Sequence, residues 1–153
     1  MTSELWAHQQ EALDFVQSCL DKGPGAAIFA GMGAGKSRVA IETLVARGCT
    51  KALILGPKSV VRNVWSEQCS LFAPGWTCLT LGDGPVAQRM EAIQAHKGWS
   101  HLMAVLNYDI VYRVGVERVL KAFGFDAIIL DESHRIAKPG GKISRAVTRI
   151  ARG

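Results

Sequence analysis

Two short runs in this 153-residue chain combine residue types that handle phosphates and metal ions. The first, Ala30-Gly31-Met32-Gly33-Ala34-Gly35-Lys36-Ser37, follows the apolar segment Ala26-Ala27-Ile28-Phe29 and opens a helical stretch. A glycine-rich turn at a helix N-terminus leaves backbone N–H groups without intrahelical partners, and such groups attract anions. The amides of Met32, Gly33, Ala34 and Gly35, with those of the first helical turn from Lys36 to Arg38, are therefore predicted to surround phosphates. Lys36 would reach the terminal phosphates and Ser37 a magnesium ion.

The commonest phosphate-loop pattern has glycine where this chain has Ala30, so the match is to the A-x-x-G-x-G-K-S form. A G-K-S tripeptide alone is equally a plain turn opening a helix. The second run, Ile128-Ile129-Leu130-Asp131-Glu132-Ser133-His134, separates the two readings. It reads as a buried strand ending in paired carboxylates, which burial would penalise without charged partners. A magnesium-bound nucleotide is such a partner: Asp131 would hold the metal, directly or through water, while Glu132 would orient and deprotonate an attacking water. The two runs together predict an ATP and Mg2+ site with Lys36 and Glu132 as its catalytic residues.

Composition leaves room for this chemistry in one globular domain. The chain is 48% hydrophobic and 20% charged, enough apolar material for a substantial core. No apolar run approaches the roughly 20 residues that span a bilayer, and Met1-Thr2-Ser3-Glu4 lacks the basic and apolar regions of a secretion signal. These features predict an intracellular protein with no membrane partner. Cys19, Cys49, Cys69 and Cys78 form no C-x-x-C pair and read as reduced packing cysteines.

The net charge of +5 is unevenly distributed. All 13 acidic residues lie within residues 1–132, against 12 basic ones, which leaves that part at −1, whereas the last 21 residues carry six basic residues and no acid. Lys142, Arg145, Arg149 and Arg152 recur at spacings of three and four, opposite Ile143, Ala146, Val147 and Ile150. This describes a basic amphipathic helix that could face a phosphate backbone or an acidic partner, or simply solvent.

The elements that must position these residues alternate along the chain. Leu5, Ala12, Leu13, Val16 and Leu20 predict a helix, stopped by residues 21–25 ahead of a strand over 26–29. A helix follows over 36–47, a strand over 52–55 and a helix over 59–71 with Val60, Val61, Val64 and Trp65 inward. Next come a strand over 77–81, a helix over 86–96, a strand over 102–106, a helix over 109–123 and a strand over 125–130. Strands separated by helices of this length predict an α/β fold, a parallel sheet with helices on both faces. Ligands in such sheets bind beyond the carboxyl ends of the strands.

The order of these segments resembles the first RecA-like lobe of superfamily-two helicases, especially the SNF-type DNA translocases and their bacterial and phage relatives. Leu5-Trp6-Ala7-His8-Gln9 is similar to the family's L-R-P-H-Q segment, and the loop ending in Lys36-Ser37 to its M-G-x-G-K-[ST] loop. The stretch from Leu53 through Gly56-Pro57-Lys58 to Trp65 is similar to motif Ia, and Val105-Leu106-Asn107-Tyr108-Asp109 to T-T-Y-E. Leu130-Asp131-Glu132-Ser133-His134-Arg135-Ile136-Ala137-Lys138, with Ser144-Arg145-Ala146 beyond, resembles D-E-A-H-R-I-K-N followed by S-K-A. Trp6 stands where the family has arginine, and Ser133 where it has alanine.

The resemblance implies a phosphate-loop, RecA-like three-layer α/β/α lobe over residues 1–153, hydrolysing ATP as part of a nucleic-acid-dependent DNA translocase. It implies that Gln9 reads the adenine edge and that Pro57, Lys58, Arg62, Asn107 and Tyr108 lie on segments touching the nucleic-acid backbone. In the family a strand ending in a T-G-T-P-like segment comes next, followed by a second RecA-like lobe. By family topology that strand lies between those bearing Lys36 and Asp131, so the sheet is expected to be incomplete and the chain to be a fragment, or to need a partner chain. Arginines of the second lobe contribute factors of about 10³–10⁵ to phosphoryl transfer, so slow turnover is expected of this lobe alone. Two other readings stand beside this one: a non-catalytic nucleotide-binding or docking module, and a phosphate-loop enzyme of another class such as a small-molecule kinase. The kinase reading leaves the Leu5-to-Gln9 segment unexplained.

Overall fold

The computed structural model describes residues 4–136, 138 and 140–152, and Arg62 by its backbone alone. In chain order the elements are α1 (Ala7–Lys22), α2 (Lys36–Ala46), β1 (Lys51–Gly56), α3 (Lys58–Phe72), β2 (Thr77–Leu81), α4 (Val86–Ala95), β3 (Leu102–Asn107), α5 (Val116–Phe123), β4 (Ala127–Leu130) and α6 (Lys142–Ala151). Single 3₁₀ turns at Tyr108–Ile110 and Ser133–Ile136 follow β3 and β4.

The four strands form one all-parallel sheet in the order β2-β3-β1-β4. Central strands of a parallel sheet are covered on both faces and read as unbroken apolar runs. Ala52 to Leu55 and Leu102 to Leu106 are accordingly fully buried. Odd and even residues of these strands then feed two cores. On one face Ile54, Met103 and Val105 pack with Ile41 and Leu44 of α2 and with Val61, Trp65 and Cys69 of α3. On the other, Leu53, Leu55, Ala104 and Leu106 pack with Ile93 of α4, Leu120 of α5 and Ala146, Val147 and Ile150 of α6. The expected three-layer α/β/α arrangement is present.

Three expectations need correction. Residues 25–31 form no strand among the described elements. Ala26 and Ala27 are exposed and Phe29 is 93% exposed. β4 is an edge strand, but the segment pairs neither with its free side nor with any other described strand, and an unpaired strand is not stable in water. The helix expected over 109–123 starts only at Val116, after the 3₁₀ turn at Tyr108–Ile110 and a turn at Gly115, whose φ of +84° lies in the left-handed region that favours glycine. Val64 is exposed rather than inward, because α3 turns Val61, Trp65 and Cys69 to the sheet and leaves Val64 at the margin.

The lower end of the sheet is tied by one carboxylate. Asp126 Oδ2 accepts from Thr50 N at 2.6 Å, Lys51 N at 2.9 Å and Thr50 Oγ1 at 3.0 Å, joining the entries to β1 and β4. Partial burial works to raise its pKa, but the Thr50 and Lys51 backbone bonds, the Thr50 hydroxyl and the Lys51 charge outweigh it, so the carboxyl titrates below its usual range. The ionised form is the bonded one. Its contribution is therefore complete above about pH 4, the unfolded carboxylate value, and is lost as pH falls through the lower folded value. Asp126→Ala is expected to cost about 1–2 kcal/mol in urea unfolding at neutral pH, with the gap to the unmodified chain closing in acid; an equal gap at pH 7 and pH 3 would show that the charge contributes nothing.

Candidate nucleotide-binding site

The glycine loop takes the shape its sequence demands. Gly33 and Gly35 have φ of +76° and +79°, conformations that side-chain-bearing residues adopt at a cost. Gly35 is also the N-cap of α2, and its carbonyl accepts Val39 N at 3.1 Å, so Lys36, Ser37 and Arg38 form the first helical turn at the loop. The Lys36 ammonium folds into the mouth of the loop, where Nζ donates to Ala30 O at 2.9 Å and Gly31 O at 2.8 Å. Met32 is fully exposed, and a Cβ placed on Gly31 or Gly33 would meet nothing within 4 Å, so the loop is open around its backbone.

The N-terminus of α1 docks on this loop. Gln9 is buried, its Oε1 accepts Trp6 N at 3.1 Å, and its Nε2 lies against Gly35, where any Cβ would collide with it. His8 Nε2 is 3.2 Å from Ala34 O. The structure thus brings Gln9 to the loop. The Arg38 side chain turns away from the loop. Its buried guanidinium lies 4.6 Å from the Phe72 ring centroid and 3.8 Å from Glu42, on the side of α2 facing α3. Only its amide, not its side chain, belongs to the loop mouth.

The carboxylates stand just beyond the end of β4. Because every strand runs parallel, Gly56, Asn107 and Asp131 end their strands at one rim, with Gly56 in register with Asn107 and Asp131 N donating to Leu55 O at 2.8 Å. Asp131 is held on its other polar groups too: Oδ2 accepts Trp65 Nε1 at 3.0 Å and the carbonyl accepts the Tyr108 hydroxyl at 2.7 Å. Burial, then the charges of Asp131 and Glu132, push the Tyr108 phenol well above its ordinary pKa, which keeps it a donor at any working pH. Glu132 has φ of +49° and its carboxylate is 3.6 Å from Arg135 Nε.

The residues expected on nucleic-acid contacts separate into two sets. Asn107 is 1% exposed, with Oδ1 accepting Arg89 Nη1 at 2.8 Å, and Tyr108 is 4% exposed beneath Asp131. Pro57 is buried as the N-cap of α3. All three side chains are largely buried, Asn107 against Arg89, while Pro57 and Tyr108 also form part of the wall of the rim cleft. Lys58 is exposed and lines a cleft of about 430 Å³ with Tyr108, Asp109, Arg135 and Ile143, while the Arg62 side chain lies outside the described residues.

Sequence reasoning missed two residues here. Trp65 reads as core from its helical spacing, and its signal was chemical: a buried indole N–H needs an acceptor. Arg89 is 8% exposed and clamps Asp83 O and Gly84 O, each at 3.0 Å, to Asn107, and nothing in its sequence neighbourhood announced that.

A profile of the SNF2-related domain matches residues 8–152. Chromodomain-helicase-DNA-binding protein 1-like from Mus musculus is 26% identical over 153 residues, covering 96% of this chain and 17% of that protein. DNA excision repair protein ERCC-6-like from Danio rerio is 27% identical over 158 residues, covering 96% of this chain and 10% of that protein. The chain therefore spans under a fifth of the length of these relatives. Among solved structures, the SWI2/SNF2 ATPase core of Sulfolobus solfataricus in complex with dsDNA superposes with a TM-score of 0.75 at 23% identity, over 97% of this chain and 30% of that one. With the motif order, the parallel sheet and the profile in agreement, the chain belongs to the SNF2-related domain family and has the RecA-like α/β fold of its ATPase core.

Proposed function

We propose that this chain is the ATP-binding and ATP-hydrolysing first lobe of a helicase-like DNA translocase, acting inside the cell with a second RecA-like lobe. The observation that carries the reading is the single packed layer that joins the two motifs. Ile41 of α2, the helix opened by Lys36, shares a core with Trp65, whose indole holds Asp131. The dsDNA in the Sulfolobus complex supports DNA over RNA as the substrate.

The residues fit a magnesium-bound triphosphate. The loop is open around Gly31 and Gly33, a lysine ammonium lies at its mouth, and two carboxylates end a strand whose neighbours fix them. When bound, such a nucleotide supplies an electrophilic γ-phosphorus and a cation that neutralises developing charge. Lys36 exchanges its bonds to Ala30 and Gly31 for phosphate oxygens, and the amides of Met32 to Arg38 bind and orient the phosphates. Ser37 and Asp131 hold magnesium, and Glu132 takes the proton of the attacking water. Gln9, wedged between Trp6 and Gly35, positions the adenine edge. Lys58, at the mouth of the rim cleft, contacts the nucleic-acid backbone, a contact that carries affinity rather than base information.

A second reading, a nucleotide-binding or docking module without turnover, is favoured by one observation: β4 is an edge strand, and Ala26, Ala27 and Phe29 ahead of the loop are exposed. A strand supplied by another lobe or chain would complete the sheet there. ATP turnover measured with and without duplex DNA separates the readings. DNA-stimulated hydrolysis supports the motor, and nucleotide binding with background hydrolysis under both conditions supports the module.

Two variants test the site itself. Glu132→Gln is expected to retain Mg·ATP affinity within severalfold while losing turnover by about 10²–10⁴, whereas Lys36→Ala weakens binding itself; equal turnover in Glu132→Gln and the unmodified chain would remove Glu132 from the chemistry. Gln9→Ala is expected to weaken ATP more than GTP in equilibrium binding by about tenfold, the value of roughly one lost hydrogen bond, and unchanged affinity for both nucleotides would refute the adenine role.

A further inference from the structure

Trp65 has an unusual position for a core residue. It is 1% exposed and packs among Ile41, Leu44, Ile54, Val61 and Cys69, yet its indole N–H leaves that apolar cluster to meet Asp131 Oδ2 at 3.0 Å, across 66 positions of sequence. Among the described residues it is the one side-chain donor on this carboxylate. The backbone of Asp131 is pinned independently, by Leu55 O on its N–H and by the Tyr108 hydroxyl on its carbonyl. The backbone bonds set where Asp131 sits, and the indole sets how its carboxylate is turned.

We infer that Trp65 is a positioning residue for magnesium: it locks the Asp131 side chain in one orientation, so that the remaining carboxylate lone pairs face the ion. This rests on the nucleotide reading above. A free aspartate rotates about two torsions, and each orientation lost on metal binding weakens affinity. A donor held rigidly by the core removes that loss beforehand. Carboxylates that ligate metals are commonly held by such outer partners, whose removal costs about 10–100-fold in metal affinity. A neutral donor suits the task, since a cation in its place would compete with magnesium for the carboxylate charge. Trp65 also lies two helical turns after Lys58 on α3, so the element that holds Asp131 is the one that begins at the rim cleft.

The test uses Trp65→Phe in the full chain, which keeps an aromatic ring in the core and deletes only the N–H and part of the ring. A fluorescent ATP analogue is titrated in EDTA and then against Mg2+. The expected result is Mg2+-free affinity within about twofold of the unmodified chain, with a Mg2+ midpoint raised about tenfold. A purely structural role would lower stability and leave the Mg2+ midpoint within twofold, and that result overturns the inference. Absence of Mg2+-dependent binding in the unmodified chain would overturn the nucleotide reading and this inference together. Should Trp65→Phe fail to fold, the indole ¹H–¹⁵N signal of Trp65, assigned by replacing Trp6, Trp76 and Trp99 in turn, decides the matter. It should move on Asp131→Asn and again when Mg2+ is added to the ATP-bound chain, and indifference to either change sinks the proposal.

Discussion

Everything functional in this molecule depends on β1 being hydrogen-bonded in parallel on both sides. Its partners β3 and β4 are aligned residue for residue, from Lys51 opposite Leu102 and Ala52 opposite Ala127 upward. Parallel pairing sends each chain segment back over a face of the sheet before the next strand begins, so every strand ends at the same rim. Gly56, Asn107 and Asp131 reach that rim from three separate stretches of sequence because of this constraint alone. The burial of Ala52 to Leu55 makes the register costly to shift, since moving β1 by one residue would exchange its two packed faces.

The same constraint explains which parts of the architecture were legible in the amino-acid order. Unbroken apolar runs at 52–55 and 102–106 read as strands covered on both sides, and helical spacing put Val61 and Trp65 on the inner face of α3, though Val64 does not follow them. The site was legible where its chemistry is backbone chemistry: the glycines of the loop and the strand-terminal acids announce themselves by type and spacing. It was not legible where side chains meet across the fold. Nothing near Asn107 shows that Arg89 will bury itself against it, and nothing near Arg38 shows that Phe72 will draw its guanidinium away from the loop. A T-T-Y-E-like segment places Asn107 and Tyr108 at the rim, but it does not show that Arg89 and the Asp131 carbonyl will take up their side chains.

Residues 26–29 show why an apolar pattern alone does not make a strand. Burying a side chain such as Phe29 would contribute about 1.5–3 kcal/mol, and at 93% exposure that gain is not realised here. A strand needs a hydrogen-bonding neighbour before its side chains can be covered, and the pattern says only that the segment favours burial, not what would cover it. The half-buried state of Ile128, Ile129 and Leu130 is the same effect seen from β4, whose fully paired neighbour β1 is buried from Ala52 to Gly56. The two under-covered segments immediately precede the motifs that carry Lys36 and Asp131.

Glu132 shows what the fold sustains to hold its second carboxylate in place. A non-glycine residue at φ of +49° costs about 1–2 kcal/mol relative to an ordinary conformation. Strain of this kind persists only where surrounding contacts over-determine it. Here the preceding peptide is gripped by the Tyr108 hydroxyl, worth about 1 kcal/mol net in a buried setting, and the Asp131 amide remains on the β1 ladder. The turn therefore reverses the chain within one residue of the strand end. Asp131 stays under the indole of Trp65 while Glu132 is thrown outward toward Arg135. Adjacent residues on a continuing strand would also point to opposite faces, but both would remain in the sheet. The left-handed step instead gives the two acids different surroundings, Asp131 held by the Trp65 indole and Glu132 exposed at the rim beside Arg135.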